Sequence, residues 1–257
     1  MFEKVKGAIA NILKDQGYTL APDWKVQQLG LVRHLSKLFD ACRIDCVLDV
    51  GANTGQFHDL LRKEVGFHGP IISFEPISEN IERLRRQTEK DPNWHIHGYA
   101  LGASRGEMSF NVMADTALSS FRTPTTSTLG ANLKDNIVKR VDKVRVETLD
   151  NVLPEIREQF KVTRLFLKMD TQGFDLEVVR GASNGLKDII LLQTEASVVP
   201  IYNGMPDYKK VIAELENLGF IISGMFPVTP LGSPRLIEFD CIMLKNDYLS
   251  IREVTST

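Results

Sequence analysis

A run of small and polar residues follows an apolar stretch in the segment LDVGANTGQF (residues 48–57), where Gly, Asn and Gly stand at alternate positions. Glycine lets the backbone turn tightly and approach a ligand closely. The helix expected next presents free N–H groups, which suit a carboxylate or a phosphate. In a sheet flanked by helices, ligands bind beyond the carboxyl ends of the strands. We therefore predict a cofactor-binding loop, whose contact residues are Asp49, Gly51, Asn53, Thr54, Gly55 and Phe57.

A second acidic residue, Glu75, follows the next apolar run in the segment FEP (residues 74–76). A carboxylate at the end of a strand can accept hydrogen bonds from both ribose hydroxyls of a nucleoside, each contributing roughly 1.5–3 kcal/mol. Enzymes that use NAD and enzymes that use S-adenosylmethionine (SAM) share this device. Glu75 and the adjacent Pro76 therefore predict an adenosine site without choosing the cofactor.

The sequence of the glycine loop distinguishes between these two cofactors. A dinucleotide fingerprint requires G-x-G-x-x-G, and from Gly51 those three places hold Gly51, Asn53 and Gln56. The loop of SAM enzymes resembles D/E-x-G-x-G-x-G, and only its middle glycine is replaced here, by Asn53. Asn tolerates a left-handed backbone better than most residues. The loop favours SAM, and an NAD-dependent oxidoreductase is the alternative.

The elements that must position these residues follow from hydrophobic patterning. Helical spacing predicts an N-terminal helical extension over residues 1–40, followed by a single domain over residues 41–250. Apolar runs alternate with helical patterns, which predicts an α/β fold with a mostly parallel sheet and helices on both faces. Two late runs joined by a Pro/Gly-rich turn predict a C-terminal antiparallel hairpin. The layout is that of a Rossmann-like class I methyltransferase, with seven strands at residues 46–50, 70–76, 95–101, 164–170, 188–196, 220–226 and 237–244.

Composition narrows the class of protein. The 257 residues carry 31 Lys+Arg and 33 Asp+Glu, so a net charge of -2 gives no global field that would attract nucleic acid. Three cysteines do not make a disulfide framework. No apolar run approaches the ~20 residues of a membrane span, and the N-terminus has no clear signal-peptide cleavage site. These features predict a cytoplasmic protein.

Seven motifs, of which the glycine loop is the first, resemble those of the FkbM family of SAM-dependent methyltransferases and follow in that family's order. They cover roughly residues 32–221. The chain departs from the family pattern at Gln172 and Asp175, where Glu is more common. The motifs are LDVGANTGQF, FEP with ENIERLRR, YALGASRGEMSF (99–110), SSF (119–121), VRVETLD (144–150), KMDTQGFDLEVVRGA (168–182) and QTEAS (193–197).

The resemblance implies transfer of a methyl group, usually to a hydroxyl oxygen of a sugar, a glycolipid, a polysaccharide or a polyketide-type natural product. It also implies that Ala100, Leu101 and Gly102 line the adenine, and that Ser120, with Ser119, closes over the cofactor or substrate. N- or C-methylation is left open. A non-catalytic Rossmann-like scaffold is a second alternative. A scaffold would not need all of the acidic and glycine residues found here, which are Asp49, Gly51, Gly55, Glu75, Asp170 and Glu195.

A hydroxyl acceptor must lose its proton, so a general base is expected. Asp170 ends the fourth apolar run and Glu195 the fifth, and both should face one crevice. We predict that Asp170 or Glu195 is the catalytic base. In the alternative interpretation, Asp170 caps the next helix or contacts the cofactor's amine, and Glu195 holds a substrate hydroxyl.

Metal, partner and loop assignments complete the expectations. Asp170, Gln172, Asp175 and Glu195 offer oxygen ligands of the type Mg²⁺ takes, but their spacing shows no tight cluster, so Mg²⁺ is left open and no metal ligand is predicted. The expected partner is a small-molecule, glycan or lipid-linked acceptor and no nucleic acid, and a homodimer is left open.

Segment 115–135 is rich in Ser, Thr, Gly and Pro, which predicts a surface loop, either a lid or a tolerated insertion.

Overall fold

The computed structural model describes residues 22–125, 137–228 and 234–248. The helix predicted before residue 22 and the central part of the 115–135 loop, residues 126–136, lie outside the described residues. Among those that are described, no helix is both long and apolar enough to cross a membrane.

Within these described ranges, ten strands form two sheets. In chain order they are β1 (Cys46–Val50), β2 (Ile71–Phe74), β3 (Trp94–His97), β4 (Ala100–Leu101), β5 (Gly106–Met113), β6 (Val138–Glu147), β7 (Leu165–Met169), β8 (Ile189–Ser197), β9 (Phe220–Pro227) and β10 (Glu238–Lys245). The main sheet has seven strands in the order β3-β2-β1-β7-β8-β10-β9, and β10 is antiparallel to both of its neighbours. This confirms the predicted fold class, including the closing hairpin.

The order of strands reverses at β1, which pairs in parallel with β2 on one side and with β7 on the other. The chain builds outward from β1 to β3 and then returns to build outward from β7. Helices that follow strands on opposite sides of this point diverge, and a crevice opens between them. The glycine loop, which leaves the carboxyl end of β1, lies in this crevice.

Helices cover both faces of the main sheet. They are α1 (Asp23–Cys42), α2 (Gln56–Leu60, continued by a π-helical turn, Leu61–Val65), α3 (Ser78–Thr88), α4 (Leu149–Phe160), α5 (Asp175–Arg180) and α6 (Tyr208–Asn217). α1 buries Leu31, Leu35 and Phe39 against the sheet and continues to Cys42. The division of the chain at residue 40 stays a prediction.

A three-stranded sheet, in the order β4-β6-β5, lies beside the main one and was not predicted. The predicted third strand, residues 95–101, is in fact two strands in different sheets, β3 and β4. The prediction of a surface loop is wrong for Ser119 and Ser120, which are buried. The Ser119 hydroxyl accepts from the Met113 amide (3.1 Å), and backbone bonds pair Ser120 with Asn111.

Alternation along the strands divides one face of the main sheet into an apolar half and a polar half. Successive side chains point to opposite faces of a strand. Toward α1, the first half carries Val47, Ile71, Phe166, Leu191 and Ile242. Two residues further toward the carboxyl edge, the parallel strands carry Asp49, Ser73, Lys168 and Gln193 in one row. On β10, Asp240 lies two residues before Ile242 and is paired with Glu195. The polar half borders the crevice.

Candidate active site

A cavity of about 430 Å³ opens at the carboxyl edge of the main sheet, where β1 lies between β2 and β7. Segments of α1, β9 and the small sheet complete its walls. The cavity brings together nine of the predicted site residues: Gly51, Asn53, Phe57, Glu75, Pro76, Ala100, Leu101, Asp170 and Glu195.

The backbone of the glycine loop is left-handed at three positions. The angle φ is +80° at Gly51, +47° at Asn53 and +93° at Gly55. A Cβ atom on Gly51 would clash with the carbonyl oxygen of Asp170, and one on Gly55 would clash with the ring of Trp94. Glycine is therefore required where the loop packs closely, while Asn is tolerated at the position between them.

The Glu75 carboxylate lies at the end of β2 and is only 3% exposed. It accepts hydrogen bonds from the backbone N–H groups of Asn53 (2.8 Å) and Ile77 (2.9 Å) and from the side-chain amide of Asn80 (3.4 Å). Burial outweighs these bonds and raises the pKa of Glu75 to about 7, with a small contribution from the negative charge of Asp49.

This environment fits the ribose of SAM. A carboxylate has about four lone-pair sites, and the three N–H donors leave capacity on the side that borders the cavity. Two ribose hydroxyls would replace hydrogen bonds that the buried carboxylate has lost from water. The adjacent walls are apolar, as an adenine ring requires, and comprise Ile77, Ala100, Leu101, Phe110 and Phe121.

The segment after β5 closes this end of the cavity. Thr116, Ala117 and Ser119 line it. The Thr116 hydroxyl donates to the side-chain oxygen of Asn53 (2.9 Å), which also accepts from Asn80 (3.0 Å). The Asn that replaces the middle glycine of the loop thus ties the loop to α3 and to the segment above it.

Asp170 and Glu195 share a bridging amide. The Nε2 atom of Gln172 donates to Asp170 Oδ1 (3.2 Å) and to Glu195 Oε2 (2.7 Å). The hydroxyl of Tyr202 lies 2.6 Å from the Leu118 carbonyl oxygen and 3.1 Å from the amide oxygen of Gln172, two acceptors that share its one proton. Burial, followed by the negative charge of Asp170, raises the pKa of Glu195 well above its usual range. Helix α5 begins without a side-chain cap, so the capping alternative for Asp170 is wrong.

Lys168 is a site residue that sequence reasoning missed. Its buried ammonium lies 3.1 Å from Asp49 Oδ1 and 3.4 Å from Asp170 Oδ2, and it donates to the Gly51 carbonyl oxygen (3.2 Å). The attraction of the two carboxylates outweighs burial and raises the pKa of Lys168. The Ser73 hydroxyl in turn donates a hydrogen bond to Asp49 Oδ2 (3.1 Å). This network links the glycine loop to Asp170 through the sheet.

Gln193 and Asp240 were also missed. Asp240 is paired in register with Glu195 across β8 and β10, and both line the cavity with Gln193. The side chain of Gln193 bonds the Asp240 carboxylate. Burial raises the pKa of Asp240 to about 6. The sequence did contain a signal for Asp240, because this acidic residue lies within the otherwise mostly apolar run IEFDCIML.

Five predicted residues lie outside the cavity lining: Asp49, Thr54, Gly55, Gly102 and Ser120. Asp49 supports the site through Lys168. The Ser120 hydroxyl donates to the carbonyl oxygen of Gln172 (2.8 Å) and accepts from the Arg122 amide (3.0 Å), so it holds a backbone segment. A Cβ atom on Gly102 would contact Val146 and Phe174. Their assignment as direct cofactor contacts stays a prediction.

Within residues 22–125, 137–228 and 234–248, no three His, Cys, Asp or Glu side chains are grouped to hold a metal ion. Asp175, one of the oxygen ligands considered for Mg²⁺, is instead bonded by the hydroxyls of Thr171 and Thr194 beneath the site. Cys42, Cys46 and Cys241 are all buried.

Comparison with known proteins places the chain among methyltransferases. The model of the methyltransferase FkbM domain matches residues 49–222, more than half of the chain. A hexuronic acid methyltransferase, AglP of Haloferax volcanii, is 23% identical over 197 residues, which are 74% of this chain and 72% of that protein.

The solved structures share the outline of the fold. Fibrillarin of Aeropyrum pernix, crystallised with natively bound S-adenosyl-L-methionine, has a TM-score of 0.43 and 13% identity, over 78% of this chain and 66% of that one, just under two thirds of it. An rRNA methylase of Streptococcus thermophilus has a TM-score of 0.44 and 10% identity, over 89% and 99% of the two chains. Because both TM-scores are below 0.5, we assign the fold class from the strand order of the main sheet and not from these structures. On the match over residues 49–222, the chain belongs to the FkbM family of methyltransferases, whose methyl donor is S-adenosylmethionine.

Proposed function

We propose that the chain transfers a methyl group from SAM to a hydroxyl oxygen of a sugar, either free or within a glycolipid or polysaccharide. The observation that carries this proposal is the pair of carboxylates, Asp170 and Glu195, that Gln172 holds together inside the cofactor cavity. A hydroxyl needs a base, whereas a neutral amine acceptor does not need one before attack. The hexuronic acid methyltransferase relative supports a sugar acceptor.

The bound cofactor supplies a methyl group on a sulfonium centre and leaves as S-adenosylhomocysteine. The residues of the chain position the acceptor and remove its proton. We assign Glu195 as the base, because it lines the cavity and because burial, with the negative charge of Asp170, raises its pKa and so makes its carboxylate a stronger proton acceptor. As the acceptor oxygen forms its bond to carbon, the hydroxyl proton passes to the Glu195 carboxylate. Asp170 remains the partner of Lys168.

The roles of the two carboxylates can be separated by substitution. We expect Glu195→Gln to lower kcat by roughly 10²–10⁴-fold, the usual contribution of a general base. We expect Asp170→Asn to shift the pH dependence of kcat to lower pH, because removal of a neighbouring negative charge lowers the pKa of Glu195. Both variants should bind S-adenosylhomocysteine within a few-fold of the unmodified chain.

The measurement is transfer from ¹³C-methyl SAM to a panel of sugars, with the ¹³C shift of the product distinguishing O-, N- and C-methyl groups. Loss of all turnover in Asp170→Asn, with full turnover in Glu195→Gln, would reverse the assignment of the base. An N-methyl or C-methyl product would overturn the proposed reaction.

A further inference from the structure

The cavity has an end that the cofactor site and the base do not use. It is formed by Gln193 on β8, two residues before Glu195, and by Asp240 on β10, which is paired in register with Glu195. Glu75 directly follows β2, which is four strand positions from β10 in the order β2-β1-β7-β8-β10. Neighbouring strands are about 4.8 Å apart, so Glu75 and Asp240 are separated by roughly 19 Å. A ribose bound at Glu75 leaves the Asp240 end for a second molecule.

The Gln193 side chain is 3% exposed, and its amide oxygen has no hydrogen-bond partner among the described residues. The Gln193 side chain lies beside the carboxylate of Asp240 and favours its ionised form. Buried polar atoms in folded proteins are almost always paired, because an unpaired one is costly. An unpaired acceptor that lines a ligand cavity indicates that a hydrogen-bond donor from the ligand pairs with it.

The charged side chains that line the cavity around Gln193 and Asp240 are mostly acidic. Asp170, Glu195 and Asp240 supply three carboxyl groups. Lys168 is the one Lys or Arg among the described residues of the lining, and it already pairs with Asp49 and Asp170. A ligand carboxylate or phosphate would meet like charges in a poorly solvated cavity, where repulsion is strong. Hydroxyl and ammonium groups would meet acceptors.

We propose that Gln193 and Asp240 form an acceptor subsite for a sugar that offers several hydrogen-bond donors and carries no anionic group beside the methylated hydroxyl, that is, a neutral or amino sugar and not a uronic acid or sugar phosphate. This inference rests on the proposed sugar O-methylation and names its substrate class. It distinguishes this chain from the relative named as a hexuronic acid methyltransferase.

The first test uses the full chain and glycosides matched in aglycone and configuration: glucoside, glucosaminide, glucuronide and glucoside 6-phosphate, together with the galacto and manno series. Binding of S-adenosylhomocysteine by calorimetry establishes that the protein is competent. The expected result is O-methylation of a neutral or amino sugar with kcat/KM at least tenfold above its anionic counterpart. Equal or better use of the anionic sugar would overturn this inference and leave sugar O-methylation intact. Transfer to no glycan, by protein that binds S-adenosylhomocysteine, would overturn both.

The second test changes the subsite. We expect Asp240→Asn to raise KM for the neutral acceptor about tenfold, since a hydrogen bond to a charged group is lost, and to reduce discrimination against the anionic counterpart. Affinity for S-adenosylhomocysteine should change less than twofold. Glu107→Gln, which removes an exposed charge on β5, is the matched control and should change neither value. If Asp240→Asn instead weakens S-adenosylhomocysteine binding and leaves acceptor KM unchanged, Asp240 belongs to the cofactor site and the proposal fails.

Discussion

At the scale of single residues, Glu75 couples cofactor binding to protonation. Burial raises its pKa to about 7, so near neutral pH the free protein holds this side chain partly protonated. Ribose hydroxyls donate to the charged carboxylate and therefore favour its ionised form. Binding of the nucleoside should release a proton from Glu75.

We predict that the affinity for S-adenosylhomocysteine falls roughly tenfold between pH 8 and pH 6, because protonation of Glu75 competes with the ribose across its pKa of about 7. Glu75→Gln should bind roughly ten- to a hundredfold more weakly at pH 8 and show little pH dependence. Calorimetry in two buffers of different ionisation enthalpy measures both the affinity and the proton released. Equal pH dependence in the two proteins would contradict this role of Glu75.

At the scale of elements, Asn53 serves the loop in two ways. Its left-handed backbone substitutes for glycine, and its side-chain oxygen holds Thr116 above the cavity. A hydrogen bond of this kind contributes about 1 kcal/mol. Since the segment that begins at Thr116 lines the adenine end, its release should weaken cofactor binding.

We therefore expect Asn53→Gly and Thr116→Val each to weaken S-adenosylhomocysteine binding about fivefold, and the double variant to be little weaker than either single one. Calorimetry on the four proteins gives the coupling energy. Additive losses would mean that the two side chains act independently and that the bond between them does not hold the segment.

The sequence predicts those strands and helices whose residue types differ from the residue types on either side of them in the chain. Strands buried on both faces, such as β1, β2 and β7, appear as short apolar runs and were predicted for that reason. β6 was missed because its sequence, VKRVDKVRVE, is mostly exposed and charged. Lys168 and Asp240 were missed because their roles depend on the register between strands, which no spacing within one segment reveals.

At the scale of the whole molecule, the site is a source of instability in the ligand-free protein. Five acidic side chains beside or beneath the cavity have raised pKa values because they are buried: Glu75, Asp175, Glu195, Glu238 and Asp240. A carboxyl group whose pKa is higher in the folded than in the unfolded chain stabilises the fold fully below its unfolded pKa, and this stability is lost as the pH rises through its folded pKa. The half-buried His34, His95 and His97, whose pKa values are lowered chiefly by desolvation, act in the opposite direction below about pH 6.5.

A comparison with Glu75→Gln isolates one of these groups, since the histidine contributions are common to both proteins and cancel. Between pH 6 and pH 8 the folded Glu75 loses a proton that the unfolded chain, with a pKa near 4.5, has already lost. We predict that the free energy of unfolding of the ligand-free wild type falls, relative to the variant, by about 1 kcal/mol over this interval. Urea denaturation of both proteins at pH 6, 7 and 8 measures this difference. Saturating S-adenosylhomocysteine should remove the difference in slope, because the ribose stabilises the ionised carboxylate. Parallel pH profiles without ligand would show that Glu75 is solvated in the free protein, and would remove the reason to expect proton release on binding.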